Sequence, residues 1–166
     1  MHYVIIGAGP AAVAAAEKLR VLDADGQVTM IGAQTQQPYS RMAIPYFLTG
    51  KVEESGTYLR RSVDHFQNQR IEVIHGEAAA IDTAGHKVIL GDGSTMDYDK
   101  LLIATGAEPI IPPVSGMDDS RVNNVGILKT QNALSNLLNR VRVLFRSALD
   151  LLDVLFLNLG CCVMLI

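Results

Sequence analysis

The chain has 166 residues, a formal net charge of −3 and a hydrophobic content of 49%, enough for a buried core. The acidic balance and the aromatic content of 5% argue against nucleic-acid and anionic-membrane partners. The first residues lack the charged and apolar regions of a secretory signal, and the two cysteines are adjacent. We therefore expect a cytoplasmic protein without a disulfide framework, and neither a nucleic acid nor a membrane as its partner.

Strand-like and helix-like patterns alternate at the start of the chain. Residues 3–6 form a short apolar run typical of a strand buried on both faces. Residues 10–22 have a helix-favouring composition with a proline in the first turn, and residues 27–31 are again strand-like. This order predicts a right-handed βαβ unit.

The middle of the chain is more irregular. Residues 32–50 are interpreted as a loop because they contain prolines and several glutamines. A short helix is predicted over residues 62–69, with Ser62 as its cap and Val63 and Phe66 on one face.

Five further strands are predicted before residue 107. The third parallel strand covers residues 71–74, and a parallel-type strand covers residues 100–104. Between them we expect a small antiparallel meander with Asp92-Gly93 as a hairpin signal, formed by residues 78–81, 87–90 and 95–98.

The last part of the chain is rich in leucine. Between residues 141 and 166 the charges are spaced as on one helical face, which favours an amphipathic helix, and they interrupt the apolar run that a membrane span requires. These charged residues are Arg142, Arg146, Asp150 and Asp153. A second interpretation is a tail that was never selected to pack, because the composition changes abruptly near residue 141.

A glycine-rich loop with the spacing G-x-G-x-x-A joins the first strand to the first helix. In this spacing Gly7 permits a tight turn, Gly9 leaves room for a pyrophosphate, and Ala12 lets the helix pack closely on the strand. The helix N-terminus supplies N–H groups and partial positive charge to phosphates. We predict a dinucleotide-binding loop, with a turn that serves packing alone as the alternative, made of Gly7, Ala8, Gly9, Pro10, Ala11 and Ala12.

The residue expected to hold the adenosine ribose is unusual. Dinucleotide-binding folds commonly carry an acid at the end of the second strand. Here Gln34 stands at that point, since Asp23 and Asp25 come before the strand. Its amide oxygen can accept a hydrogen bond from a hydroxyl, as a neutral and weaker acceptor than a carboxylate. The loop alone therefore does not fix the nucleotide.

Two more segments follow the glycine loop in a characteristic order. Residues 38–41 read P-Y-S-R, and residues 99–107 read D-K-L-L-I-A-T-G-A. With these, the chain resembles the FAD-binding half of the pyridine nucleotide-disulfide oxidoreductase superfamily over about residues 1–130. It is most similar to the branch that holds rubredoxin and ferredoxin reductases and the large subunit of NAD(P)H nitrite reductase.

The resemblance implies an α/β fold. We expect a Rossmann-like FAD/NAD(P)-binding domain whose central, mostly parallel sheet carries helices on one face and a small antiparallel meander on the other. Residues 1–115 would form the FAD-binding domain, residues 116–140 the start of a crossover toward an NAD(P)-binding domain, and residues 141–166 an atypical leucine-rich tail. The ligand would lie outside the carboxyl ends of the strands.

The resemblance also implies roles for individual residues toward FAD. The glycine loop would hold the FAD pyrophosphate, and Gln34 would lie at the adenosine ribose. Arg41 would lie near the pyrophosphate and the flavin, and Ala78 would offer a backbone group to the adenine. A turn of small residues, which lets the backbone approach closely, would lie against the flavin nucleotide and consists of Ala104, Thr105 and Gly106.

The activity implied is that of an FAD-dependent NAD(P)H oxidoreductase. Residues 1–160 contain no cysteine, which excludes dithiol chemistry beside the flavin. Electrons would pass to an external acceptor such as a small iron–sulfur protein, a linked redox centre or oxygen. The family's second glycine loop, for NAD(P)H, is not found after residue 141. The alternative is a truncated, non-catalytic FAD- or nucleotide-binding remnant.

The remaining candidates carry less information. The histidines have no ligand spacing, so no metal site is expected. Three tyrosines could either stack on a cofactor ring or serve ordinary packing, and these are Tyr39, Tyr46 and Tyr58.

Overall fold

The computed structural model describes residues 1–107, 125–127, 132–133, 135–136, 157–159 and 162–164. The chain divides into two compact units, Met1–Gly106 and Ala107–Ile166. All of the candidate site residues belong to the first unit. The predicted domain limits at residues 115 and 140 remain predictions.

The first unit contains seven strands, three α-helices and two 3₁₀ turns. In chain order these are β1 (His2–Ile6), α1 (Pro10–Leu22), β2 (Gln27–Gly32), a 3₁₀ turn (Arg41–Ala43), α2 (Ile44–Leu48), a 3₁₀ turn (Glu54–Thr57), α3 (His65–Asn68), β3 (Ile71–His75), β4 (Ala78–Asp82), β5 (Lys87–Leu90), β6 (Thr95–Asp97) and β7 (Lys100–Ile103).

Four of these strands form a parallel sheet in the order β3-β2-β1-β7. In its register Val4 of β1 lies opposite Thr29 of β2 and Leu101 of β7. The carboxyl ends of β1, β2 and β7 therefore meet at one edge of the sheet. The predicted α/β class with an initial βαβ unit is confirmed.

The two faces of the sheet carry different layers, because successive side chains of a strand point to opposite faces. On one face Ile5 and Met30 pack with Ala12 and Ala16 of α1. On the other face β1 and β2 pack against β5, through a cluster that includes Val4, Ile6, Ile31, Val88 and Leu90. Helices thus cover one face and the meander covers the other, as expected.

The meander is a three-stranded antiparallel sheet in the order β4-β5-β6. The turn between β5 and β6 contains Gly93 with a φ of +85°, and the Gly93 N–H donates to the Leu90 carbonyl at 2.9 Å. The hairpin predicted from Asp92-Gly93 is confirmed.

In the middle of the chain one local prediction is wrong, and another is confirmed only in part. The segment interpreted as a loop over residues 32–50 contains a 3₁₀ turn and α2, whose first turn accepts Pro45. The predicted helix over residues 62–69 is reduced to α3, a single turn whose N-cap is Asp64 rather than Ser62. Val63 precedes this helix and is 73% exposed, whereas Phe66 within it is 8% exposed, so the two side chains do not share a buried helical face.

The described residues of the second unit include three short strands. These strands, β8 (Val125–Ile127), β9 (Leu157–Leu159) and β10 (Cys162–Met164), form an antiparallel sheet in the order β8-β10-β9. The interpretation of the tail as an amphipathic helix is therefore wrong at β9 and β10, where short apolar runs pair as strands. The four charges on which it rested lie outside the described residues. Among the described residues no helix combines the length and the hydropathy that a membrane crossing needs.

Glu17 of α1 ties that helix to the segment that precedes β3. Its carboxylate accepts hydrogen bonds from Arg60 Nε at 2.6 Å and from His65 Nε2 at 2.8 Å, and its side chain is 23% exposed. The hydrogen-bonded Arg60 guanidinium lowers the pKa of Glu17 below its ordinary value, against the opposing effect of burial.

This contact makes stability depend on pH. Because the pKa of Glu17 is lower in the folded chain, its contribution is present above the unfolded-state pKa and is lost as pH falls through the folded-state pKa. Glu17→Gln should cost about 2 kcal/mol of unfolding free energy near neutral pH and progressively less in acid. Urea unfolding at a series of pH values checks this, with the exposed Glu53→Gln as control. A cost for Glu17→Gln that is independent of pH would contradict it.

Candidate functional site

The loop between β1 and α1 is held tightly at the carboxyl edge of the sheet. The Gly7 N–H donates to the Ile31 carbonyl at 2.8 Å, which joins the loop to β2. Gly7 has a φ of +127°, and a Cβ atom at this position would lie 2.2 Å from the Ala104 carbonyl oxygen. Glycine is therefore required here both by the backbone conformation and by the close approach of the chain after β7.

Gly9 has a different role, because it faces open space. It is the N-cap of α1, no side chain caps the helix, and Pro10 occupies the first turn. A Cβ atom at Gly9 would meet no protein atom within 4 Å. The N–H groups of a first helical turn lack intrahelical partners and carry partial positive charge. The space in front of Gly9 is thus suited to an anionic phosphate.

The rest of the loop packs as its sequence predicts. Ala12 is fully buried in the cluster between α1 and the sheet, whereas Pro10 and Ala11 are exposed. Gly32, at the end of β2, was not singled out from the sequence. A Cβ atom at Gly32 would lie 3.0 Å from the Ala8 methyl, so the end of β2 lies directly against the loop.

The turn after β7 and the P-Y-S-R segment meet beside this loop. The Ala104 N–H donates to the Ile6 carbonyl at 2.8 Å, which places the exposed Thr105 next to the end of β1. Gly106 has a φ of +75°, and Arg41 Nη1 lies 3.8 Å from where its Cβ would be. The structure therefore brings together the glycine loop, the residue 104–106 turn and an exposed guanidinium.

Gln34 follows β2 by two residues and contacts Tyr39. The Tyr39 hydroxyl donates to Gln34 Oε1 at 2.5 Å, and Tyr39 is only 6% exposed. Tyr39 thus packs within the protein, which is the second of the two roles considered for it. Its hydrogen bond to Gln34 had no signal in the sequence beyond the proximity of the two residues.

Ala78 is placed differently from the other candidates. It begins β4 and packs in the cluster between the two sheets. The chain just before it is tied to the end of β2, because the Gly76 N–H donates to the Gly32 carbonyl at 2.9 Å. A role for the Ala78 backbone toward adenine remains a prediction.

A cleft of about 420 Å³ lies elsewhere, between residues 35–38 and the edge strand β3. Its walls include Pro38, Phe66 and Val73, and none of the glycine-loop residues lines it. The cleft is therefore separate from the open edge beside Gly9.

A parallel sheet with a glycine loop after β1 and a helix N-terminus at its carboxyl edge defines a Rossmann-like dinucleotide-binding fold. The family model described as pyridine nucleotide-disulphide oxidoreductase matches residues 1–145. The chain belongs to the pyridine nucleotide-disulphide oxidoreductase family, which confirms the resemblance drawn from its motifs.

Individual relatives match over most of this chain but over a small part of their own length. The epsilon subunit of NADH-dependent phenylglyoxylate dehydrogenase from Aromatoleum evansii is 36% identical over 70% of this chain and 28% of its own. Putidaredoxin reductase from Pseudomonas putida is 34% identical over 78% of this chain and 31% of its own. The reductase in the crystal structure of the covalent putidaredoxin reductase–putidaredoxin complex has a TM-score of 0.74 and 31% identity, covering 84% of this chain and 34% of that one.

Proposed function

We propose that this chain is the flavin-binding part of an FAD-dependent NAD(P)H oxidoreductase that transfers hydride from NAD(P)H to FAD and passes electrons to an external acceptor. The observation that carries the proposal is the convergence of the Gly7 loop, the open space at Gly9 and the Arg41 guanidinium at one edge of the sheet. A cytoplasmic location is part of the same proposal.

The residues present fit a flavin dinucleotide. The first turn of α1 would hold the pyrophosphate in front of Gly9, where no protein atom obstructs it. Arg41 adds positive charge beside Gly106, and the residue 104–106 turn offers backbone without bulky side chains. When bound, the flavin supplies the hydride and electron chemistry, while the protein binds and orients it.

The nature of the acceptor is supported by the relatives and by cysteine usage. Residues 1–160 contain no cysteine, so a dithiol on this part of the chain cannot take the electrons. One relative is a putidaredoxin reductase, and a similar solved structure is a reductase–putidaredoxin complex. A small iron–sulfur protein, which takes electrons singly, is the acceptor we propose.

An absorbance titration of the purified full chain with FAD tests the proposal. We expect a saturable, protein-bound flavin spectrum, and Arg41→Ala should weaken FAD binding about tenfold, since a charge-assisted contact is lost. The exposed Arg61→Ala is the matched control. Absence of FAD binding would overturn the proposal.

Addition of NADH to the FAD-loaded chain separates the two alternatives. Bleaching of the flavin spectrum would show that these 166 residues suffice for hydride transfer. Bound flavin without bleaching would support the non-catalytic alternative for this stretch of chain.

A further inference from the structure

The edge strand β3 borders the cleft that has no role in the proposed nucleotide site. We propose that this cleft binds an extended peptide segment of a partner protein, in which apolar and basic residues alternate, as a strand added to the outer edge of β3. The proposal does not depend on the nucleotide site, since none of the glycine-loop residues lines the cleft.

The outer side of β3 is open to another strand. In the sheet order β3-β2-β1-β7 this strand pairs with β2, and among the described strands none lies on its other side. An edge strand presents a row of backbone N–H and C=O groups that a further strand can use. Ile71, Glu72 and Val73 all line the cleft, although successive side chains of a strand point to opposite faces. The cleft therefore reaches the backbone of β3 and not only one face of the sheet.

The cleft offers apolar contacts on the helix-covered face of the sheet. Phe66 and Ile71 are buried at its floor, and Val63 and Val73 are exposed beside them. Burial of such exposed apolar surface drives association. The volume of about 420 Å³ lies in the range of ligand pockets and suits the side chains of a strand that runs along the edge.

The polar walls of the cleft suit a peptide backbone. A side-chain amide can donate to one peptide group and accept from another at the same time. Gln37 and Gln67 provide such amides, and Thr35 adds an exposed hydroxyl. These groups are uncharged, so they match the neutral main chain of an extended segment.

Glu72 supplies the charge of the cleft. Among the described wall residues it is the one with a charged side chain. It lies opposite Thr29 in the sheet register, on the face that the meander covers, and its Oε2 accepts from the buried Thr29 hydroxyl at 3.1 Å. This bond fixes an exposed carboxylate at the strand edge, and within residues 1–107 no lysine or arginine pairs with it.

The position of this carboxylate decides which segment fits. On an added strand, side chains that enter the apolar cleft would alternate with side chains that lie beside Glu72. Opposite charges on neighbouring strands attract and like charges repel, so the second set should be lysine or arginine. A second copy of this chain fits less well, because pairing β3 with itself would bring two Glu72 carboxylates to one edge.

Calorimetry of the full chain with end-blocked peptides tests the proposal. The probe is a peptide of about six residues, a usual strand length, in which lysine and valine alternate. We expect saturable binding, and a peptide with glutamate in place of lysine should bind at least about fivefold more weakly.

Two N-methylated forms of the lysine–valine peptide test the backbone pairing. One carries the methyl groups on its valine nitrogens and the other on its lysine nitrogens. Alternate N–H groups of a strand point to the same side, so one form should lose at least about tenfold in affinity and the other should change by less than about threefold.

Glu72→Gln should remove most of the preference for lysine over glutamate. The amide oxygen can still accept from Thr29, but the charge is gone. The matched control is Glu53→Gln, which makes the same change at an exposed residue that does not line the cleft. When the lysine–valine peptide binds, backbone hydrogen exchange should slow in β3 and stay unchanged in β7, at the opposite edge of the sheet.

Three results would overturn the proposal. The first is equal binding of the lysine and glutamate peptides, or equal effects of the two N-methylated forms. The second is no binding of any peptide, which would leave Glu72 as a charge that protects an exposed edge from pairing. The third is a concentration-dependent dimer that Glu72→Gln strengthens, seen by analytical ultracentrifugation, which would make a second copy of this chain the occupant.

Discussion

Gly7→Ala is expected to destabilise the first unit by at least about 3 kcal/mol and to abolish nucleotide binding. The new methyl group would lie 2.2 Å from the Ala104 carbonyl oxygen, a backbone atom that cannot move without disturbing β7. The φ of +127° adds strain that is independent of the clash. Urea unfolding followed by circular dichroism measures the loss.

Gly9→Ala separates the two roles of the loop. Its φ of −83° is ordinary, and no protein atom lies within 4 Å of the added methyl group, so stability should change by less than about 1 kcal/mol. The methyl group would instead occupy the space proposed for the phosphates, and affinity for ADP should fall at least about tenfold. Equal effects of the two substitutions on stability would contradict this division of roles.

The beginning of the fold could be predicted closely because several local signals agree there. The helix predicted over residues 10–22 is observed as Pro10–Leu22. Pro10 favours a helix start, and the carboxylate of Asp23 stabilises the following turn by accepting from the Gly26 N–H at 2.8 Å. The apolar run of β1 and the βαβ order are equally local features, so no tertiary information was needed.

Predictions were wrong where the pattern was short or ambiguous. In α2, Pro45 indicates irregular chain by composition alone, although a proline is compatible with a first helical turn. In the tail, the spacing of four charges favours a helix, whereas short apolar runs in the same segment form β9 and β10. Periodicity alone does not separate short apolar strands from buried helix segments.

The glycine motif of the candidate site could be predicted from the sequence, but the spatial grouping of the site residues could not. The spacing from Gly7 to Ala12 and its place after a strand are visible in the sequence, and the fold puts this loop at the carboxyl edge of the sheet. The contact of Gly7 with Ala104 joins residues far apart in the chain. Arg41 and Gly106 are likewise far apart in the chain. The adjacency of β1 and β7 in the sheet brings Gly7 to Ala104, whereas the approach of Arg41 to Gly106 depends on the path of the chain after β2.

Arg20→Met is expected to lower the unfolding free energy by about 3 kcal/mol, because one guanidinium holds three segments together. Arg20 Nε donates to the Gln69 carbonyl at 2.7 Å, and Nη2 donates to the Arg70 carbonyl at 2.6 Å. Its Nη1 donates to the Gly26 carbonyl at 2.7 Å, with further bonds to the two carbonyls at positions 23 and 24. The end of α1 is thereby tied to the chain entering β2 and to the chain entering β3.

Arg20→Lys tests whether the stabilisation comes from the planar guanidinium with its several donors or from the positive charge alone. A lysine ammonium is a point charge with three donors on a flexible stem, so it cannot serve this spread of carbonyls and should recover less than half of the loss. The control is Lys18→Met on the exposed part of the same helix, with an expected change within about 0.5 kcal/mol. In Arg20→Met, backbone hydrogen exchange should become faster at the starts of β2 and β3. The affinity of the folded fraction for ADP should be unchanged, because the glycine loop lies at the other end of α1. Full recovery in Arg20→Lys would show that charge alone stabilises this junction.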